Sequence, residues 1–250
     1  MRSYAIGDIH GHLDLLLDAH RKIAEDRAKF GEGDAPIVHV GDLVDRGPNS
    51  EGVIEYLRCG IAAGENWVVL KGNHDRMFSG FLDDVNYHDE GLRSDLSYLH
   101  YKIGGAATLA SYGVKNAADR RIAPVHKEAV IAVPKVHREF LQGCPASFTR
   151  GEVMFVHAGI RPGVPLDAQT ETDLTWIRGP FLVDTVDHGK LIVHGHTAID
   201  RARNYGNRVN IDSGAAYGGP LTAVIVEGRD VYNLTSAGRV LLKPESPTAN

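Results

Sequence analysis

The chain has 250 residues, 43% hydrophobic and 24% charged, which fits one large soluble domain of a size that suits an enzyme. Its net charge of −5 argues against a generic binder of the nucleic-acid backbone, which gathers positive charge on one face. No apolar run approaches the ~20 residues that cross a bilayer, and the opening MRSYAIGDIH lacks the apolar core of a secretory signal, so no membrane association and a cytoplasmic location are expected.

Strand-like and helical stretches alternate through the first half. Residues 3–6 read as a strand, 13–30 as a helix and 36–40 as a strand. A second helix is expected over 50–63, with Val53, Ile54 and Leu57 on its apolar face, followed by a strand over 67–70. This alternation predicts crossover units with parallel strands. From 76 to 147 strand signals fade, while 101–112 and 126–141 read as helical, the latter interrupted at Pro134, so the region is expected to be a helical insertion. Short β-rich runs follow at 152–156, 190–193, 208–211, 221–226 and 230–233, with Gly228 marking a hairpin. A polar tail over 244–250 is expected to fray, leaving 1–243 as a single domain.

Cys59 and Cys144 have no partner at metal-ligand or redox spacing and are expected to be small buried residues. Of the 13 histidines, His20, His39, His88, His100, His126, His137 and His188 sit in no setting that points to chemistry and are assigned to surface or core.

Five times an apolar run ends and is followed at once by Asp, His or Asn beside glycine. The groups are GDIHG (7–11), GDLVDRG (41–47), GNHD (72–75), HAG (157–159) and HGHT (194–197). A single such group is common at turns. Five in succession, each after an expected strand, would meet along the carboxyl edge of an open α/β sheet. Asp and neutral His suit manganese, iron or zinc better than calcium. Asp8 and His10, two apart on an extended strand end, can reach one ion.

These motifs resemble the signature of calcineurin-like metallophosphoesterases, in particular the bacterial and phage-like branch of the serine/threonine phosphoprotein phosphatases, over residues 7–197. The resemblance implies an α/β fold, a sandwich of two mixed β-sheets flanked by helices. It implies two divalent ions, Mn²⁺ by preference with Fe or Zn possible. Asp8, His10 and Asp42 would hold the first; Asp42, Asn73, His157 and His196 would hold the second. His194 takes a supporting place. The implied reaction is direct in-line attack on a phosphoester by a hydroxide shared between the ions. His74 would protonate the leaving oxygen with Asp45 orienting it, and Arg46 would hold phosphate. Arg178, in LTWIRGPF, matches a further substrate arginine of that branch. Tyr217 could border the site but reads equally as a turn residue.

For substrate the motifs pull in two directions. GDLVDRG is the protein-phosphatase form, which makes phosphoserine or phosphothreonine in proteins the leading expectation. GNHD, preceded by Lys71 where protein phosphatases carry arginine, resembles instead the enzymes that split diadenosine tetraphosphate symmetrically. That small phosphoester is the alternative; a metal-binding regulatory module without turnover is a further one.

Overall fold

A computed structural model describes residues 1–31 and 34–245. The first half forms β1 (Arg2–Ile6), α1 (Leu13–Phe30), β2 (Ile37–His39), α2 (Ser50–Ala62) and β3 (Trp67–Val69), and the three strands run parallel. Strand alternation decides what each residue covers. Tyr4, Ile6 and Ile37 pack against Leu16, Ala19 and Ile23 of α1 and Val53, Ile54 and Leu57 of α2. Ala5 and Val38 turn to the opposite face.

The next segment is helical, as expected: α3 (Asn73–Asp83), α4 (Gly105–Ser111), α5 (Ile122–Ala132) and α6 (Lys135–Gly143), with Pro134 separating the last two. The helix α3 was not anticipated, because its apolar stripe starts inside the GNHD group. The Asp75 carboxylate starts it by accepting the Gly72 N–H at 2.8 Å.

Then follow β4 (Ser147–Arg150), β5 (Val153–Val156), α7 (Glu171–Trp176), α8 (Gly179–Leu182), β6 (Leu191–His194), β7 (Arg203–Asn204) and β8 (Arg208–Asn210). The chain closes with β9 (Ala223–Glu227), β10 (Asp230–Thr235) and β11 (Gly238–Leu241). Gly228 turns β9 into antiparallel β10 with φ 62°. Two mixed sheets result, in the orders β11-β10-β9-β1-β2-β3 and β4-β5-β6-β8-β7. The strands missed by sequence reading, β4, β7 and β11, all lie at sheet edges, where one-sided pairing asks for little apolar pattern.

The sheets face one another through Ala5, Val38, Val40 and Val224 on one side and Phe155, Val193 and Val209 on the other. Behind the second sheet, Met154, Val156 and Ile192 are covered by Leu174, Ile177 and Phe181. Two mixed sheets flanked by helices are therefore the architecture. β5, β6 and β8 are also parallel, so the ends of β1, β2, β3, β5 and β6 open toward one cleft.

Cys144 is buried, but Cys59 is exposed, which corrects the expectation for it. Position 59 falls outside the inward face of α2, formed by Ser50, Val53, Ile54 and Leu57, and its thiol lies 3.1 Å from Glu55 Oε1. Pro244 forms a bridge with Asn204, and the Glu245 N–H donates to the Asn204 carbonyl at 2.8 Å; the rest of the expected tail, 246–250, lies outside the described residues. Among the described residues no helix is long and apolar enough to cross a membrane.

Candidate metal centre

Asp42, in the loop that follows β2, belongs to two sets of donors. One joins it to His10 and His74, the other to His157 and His196, and in each set the donor atoms lie within 4.8 Å of one another. Its Oδ2 is 3.4 Å from Nε2 of His10, and its Oδ1 is 3.3 Å from Nε2 of His157. All five residues are buried. Asp8 stands beside them: Oδ2 accepts the His196 N–H at 2.9 Å, while Oδ1 is buried without a hydrogen-bond partner. Asn73, the first residue of α3, brings Oδ1 to 2.9 Å from Nε2 of His157. Glycine permits this crowding: a Cβ at position 195 would collide with Oδ1 of Asp8, and one at 72 with Asp42.

The histidine tautomers follow from their partners. Nδ1 of His157 faces the Val40 carbonyl at 3.0 Å and Nδ1 of His10 the Val44 carbonyl at 2.8 Å. A carbonyl only accepts, so both Nδ1 atoms carry the proton and both Nε2 atoms present lone pairs. Around His157, the lone pairs of Nε2, Asn73 Oδ1 and Asp42 Oδ1 converge. Convergent acceptors in a buried site repel unless a cation lies among them, and this oxygen and nitrogen set fits a divalent transition ion.

The titration of the cluster points the same way. Burial, then the carboxylates of Asp212 and Asp42, hold Asp8 well above the usual carboxylate range. Burial, with Asp42 adding to it, pushes Asp212 up to about 6. Burial raises Asp42 too, but the facing His157, His74 and His10 outweigh it and hold that carboxyl far down. Burial lowers His10, His157 and His196, leaving neutral imidazoles suited to coordination near neutral pH. Divalent charge would relieve the repulsion among the three carboxylates.

Backbone strain gathers here as well. Among the described residues, six non-glycine positions have positive φ; five of them are His10, Asp42, Asp45, Arg46 and His196.

Nδ1 of His74 donates to Oδ2 of Asp45 at 2.7 Å. Oδ1 of Asp45 accepts from the Tyr98 hydroxyl and the Thr108 hydroxyl, both at 2.8 Å, and the Asp45 N–H donates back to Thr108 at 2.7 Å. The carboxylate cannot turn without losing several buried hydrogen bonds, so the His74 ring is fixed with Nε2 toward the cleft. Arg46 donates to that Nε2 at 2.9 Å and to Nε2 of His10 at 2.7 Å. Arg178 is exposed at the same cleft, its Nη1 3.4 Å from the Thr197 hydroxyl. The cleft, about 260 Å³, is lined by His10, Asp42, Arg46, His74, Arg178 and His196.

Of the residues assigned to the site from the sequence, these six line the cleft, and Asp8, Asp45, Asn73 and His157 adjoin them. Lys71 does not face it, being 3.4 Å from Glu171 in an ion pair. His194 packs behind it, with Nδ1 3.0 Å from the Gly195 carbonyl. Asp75, the last residue of GNHD, accepts from Leu43 N at 2.9 Å and from Gly72 N, tying the second motif to the third. Asp212 and Tyr217 line the cleft without having been assigned to it. Asp212 carries the same signal as the five groups, an aspartate after a strand and close to glycine. Tyr98 and Thr108 carried no signal, since only folding brings the helical insertion onto Asp45.

The family model for calcineurin-like phosphoesterases matches residues 1–225. A bis(5′-nucleosyl)-tetraphosphatase PrpE [asymmetrical] of Halalkalibacterium halodurans is 27% identical over 239 residues, covering 88% of this chain and 87% of its own. A serine/threonine-protein phosphatase 1 of Salmonella typhimurium is 25% identical over 233 residues, covering 90% and 91%. Among solved structures, a putative diadenosine tetraphosphatase superposes with TM-score 0.60 at 23% identity, covering 93% of this chain and 92% of its own.

Proposed function

The chain belongs to the calcineurin-like phosphoesterase family, and on that premise we propose that it hydrolyses bis(5′-nucleosyl) tetraphosphates at a centre of two divalent ions. The observation that carries the chemistry is the position of Asp42, shared by two donor sets and flanked by Arg46 and Arg178. Asp8, His10 and Asp42 are assigned to one ion; Asp42, Asn73, His157 and His196 to the other; Mn²⁺ is the metal we favour. When bound, such a pair activates water near neutral pH and neutralises phosphoryl oxygens.

The chain's own groups do the rest. Arg46 and Arg178 offer planar, permanently charged forks to the phosphoryl oxygens and orient the phosphoanhydride to be cleaved. With a metal held by His10, its Nε2 would no longer accept from Arg46, and that guanidinium would be available to substrate. His74, its Nδ1–H held by Asp45, gives the proton that its imidazolium form carries at Nε2 to the departing oxygen and is left neutral. Tyr98 and Thr108 position Asp45.

Between the two substrates read from the motifs, the tetraphosphatase relative, aligned over nearly the whole of both chains, favours the dinucleotide over the phosphoprotein first expected. Phosphoprotein hydrolysis stays as the second reading because of the phosphatase relative. We place the enzyme in the cytoplasm, following the sequence. The test is Mn²⁺-dependent turnover of diadenosine tetraphosphate and of a phosphothreonine peptide side by side, with Asp42→Asn as control. Dinucleotide cleavage, to two ADP or to ATP and AMP, that falls about 100-fold or more in the variant supports the proposal. Turnover of the peptide alone overturns it in favour of the second reading.

A further inference from the structure

Beside the cleft lies a second cavity of about 700 Å³, and the two share Arg46, Ala216 and Tyr217. Its lining is different in kind. Leu99, Ala106, Ala107 and Ala118 make it apolar, and Tyr101 and Tyr217 stand 79% and 70% exposed against it. Lys102 adds positive charge beyond Arg46, and no Asp or Glu is among its lining residues. Small side chains leave the space open beside the two tyrosine rings.

Arg46 joins the two cavities. On one side it donates to His10 and His74; on the other its guanidinium lies 5.3 Å from the centre of the Tyr217 ring. A phosphoryl group held by Arg46 therefore leaves the next part of the same molecule against Tyr217. We propose that this cavity receives a nucleobase of the substrate, stacked on Tyr217 and Tyr101, with Lys102 facing the polyphosphate chain. The inference rests on the nucleotide reading above for the class of substrate. Every base presents a π-face to an aromatic ring, and the volume falls within the roughly 300–1,000 Å³ of small-molecule sites. A phosphoserine or phosphothreonine peptide would bring no flat ring at a fixed distance from its phosphate.

The test compares wild type with Tyr217→Ala, Tyr101→Ala and the matching Phe variants, all at a fixed excess of Mn²⁺. Inhibition of p-nitrophenyl phosphate hydrolysis is measured with ADP and with inorganic pyrophosphate, which differ by the nucleoside. In wild type ADP should inhibit more strongly than pyrophosphate. Either alanine variant should reduce that ratio about tenfold, the usual scale of one lost base stack, and phenylalanine should restore it. Equal inhibition by the two compounds in wild type, or a ratio that alanine leaves intact, overturns the proposal. Turnover of diadenosine tetraphosphate is read in parallel and separates the two failures. A ratio that collapses in the alanine variants without dinucleotide cleavage keeps the cavity and rejects the substrate reading. Cleavage with an unaltered ratio does the reverse.

Discussion

His74 and Asp45 make the sharpest residue-scale prediction, because their geometry separates proton transfer from metal binding. The His74 ring is held by Asp45 through Nδ1 and by Arg46 through Nε2, and although it also stands in the donor set of His10 and Asp42, none of the proposed ligands Asp8, His10, Asp42, Asn73, His157 and His196 depends on a hydrogen bond from its ring. His74→Asn should retain bound manganese, measured by metal analysis of the purified protein. It should slow an alkyl phosphate by about 10²–10⁴-fold, as expected for lost general-acid help. p-Nitrophenyl phosphate, whose phenolate departs with little protonation, should lose far less. Equal losses on both esters would remove His74 from the role of acid. Much of this pair was legible beforehand, since both residues lie within recognisable motifs. The hydroxyls of Tyr98 and Thr108 that hold Asp45 were not, because 53 and 63 residues separate them from it.

At the scale of elements, the region between α1, β2 and β3 carries a pair of histidines that have no part in the chemistry. Nε2 of His20 lies 3.0 Å from Nε2 of His39, and Nδ1 of His39 faces the Val68 carbonyl at 3.4 Å. With Nδ1 of His39 as donor, its Nε2 accepts from His20. Burial, with Arg27 adding to it, lowers His20 to about 4, and burial lowers His39 well below the ordinary range. The unfolded chain binds these protons near pH 6.5 and the folded chain only further down. The stabilisation is therefore complete above about pH 6.5 and is lost as pH falls toward 4. His20→Gln keeps a donor for His39 and does not titrate. Urea unfolding between pH 7 and 4.5 should show a shallower loss for the variant, by up to about 1.4 kcal/mol per pH unit. Identical slopes would show that His20 does not contribute. Sequence periodicity placed α1, α2 and the central strands within a few residues, yet assigned these two histidines only to surface or core. Which face of a strand meets which helix is a matter of packing between segments.

For the whole molecule, the proposed centre would act as a clasp between two sheets. Asp8, Asp42 and Asn73 come from the sheet built on β1, β2 and β3; His157 and His196 come from the one built on β5, β6 and β8. Cations bound there should stabilise the fold by linkage, since the unfolded chain has no such site. Treatment with a chelator should lower the unfolding midpoint by about 5–10 °C, taking ligand at about 100 times its Kd and a domain of this size. Differential scanning calorimetry with and without Mn²⁺ checks it, and an unchanged midpoint would count against ligands drawn from both sheets. The sequence by itself determined the family resemblance, the α/β alternation and the residues that turn acceptors toward the cleft. All of these are local: a motif needs only a strand end, a glycine and the next few side chains. Only the tertiary structure decided that Asp75 ties two motifs together instead of facing the cleft. The same is true of the insertion hydroxyls that hold Asp45, of Asp212 among the crowded carboxylates, and of the open cavity that Tyr101 and Tyr217 border. Those facts depend on distances between segments far apart in the chain, which closing the sheets and laying the helical insertion over α2 and the loop after β2 alone bring about.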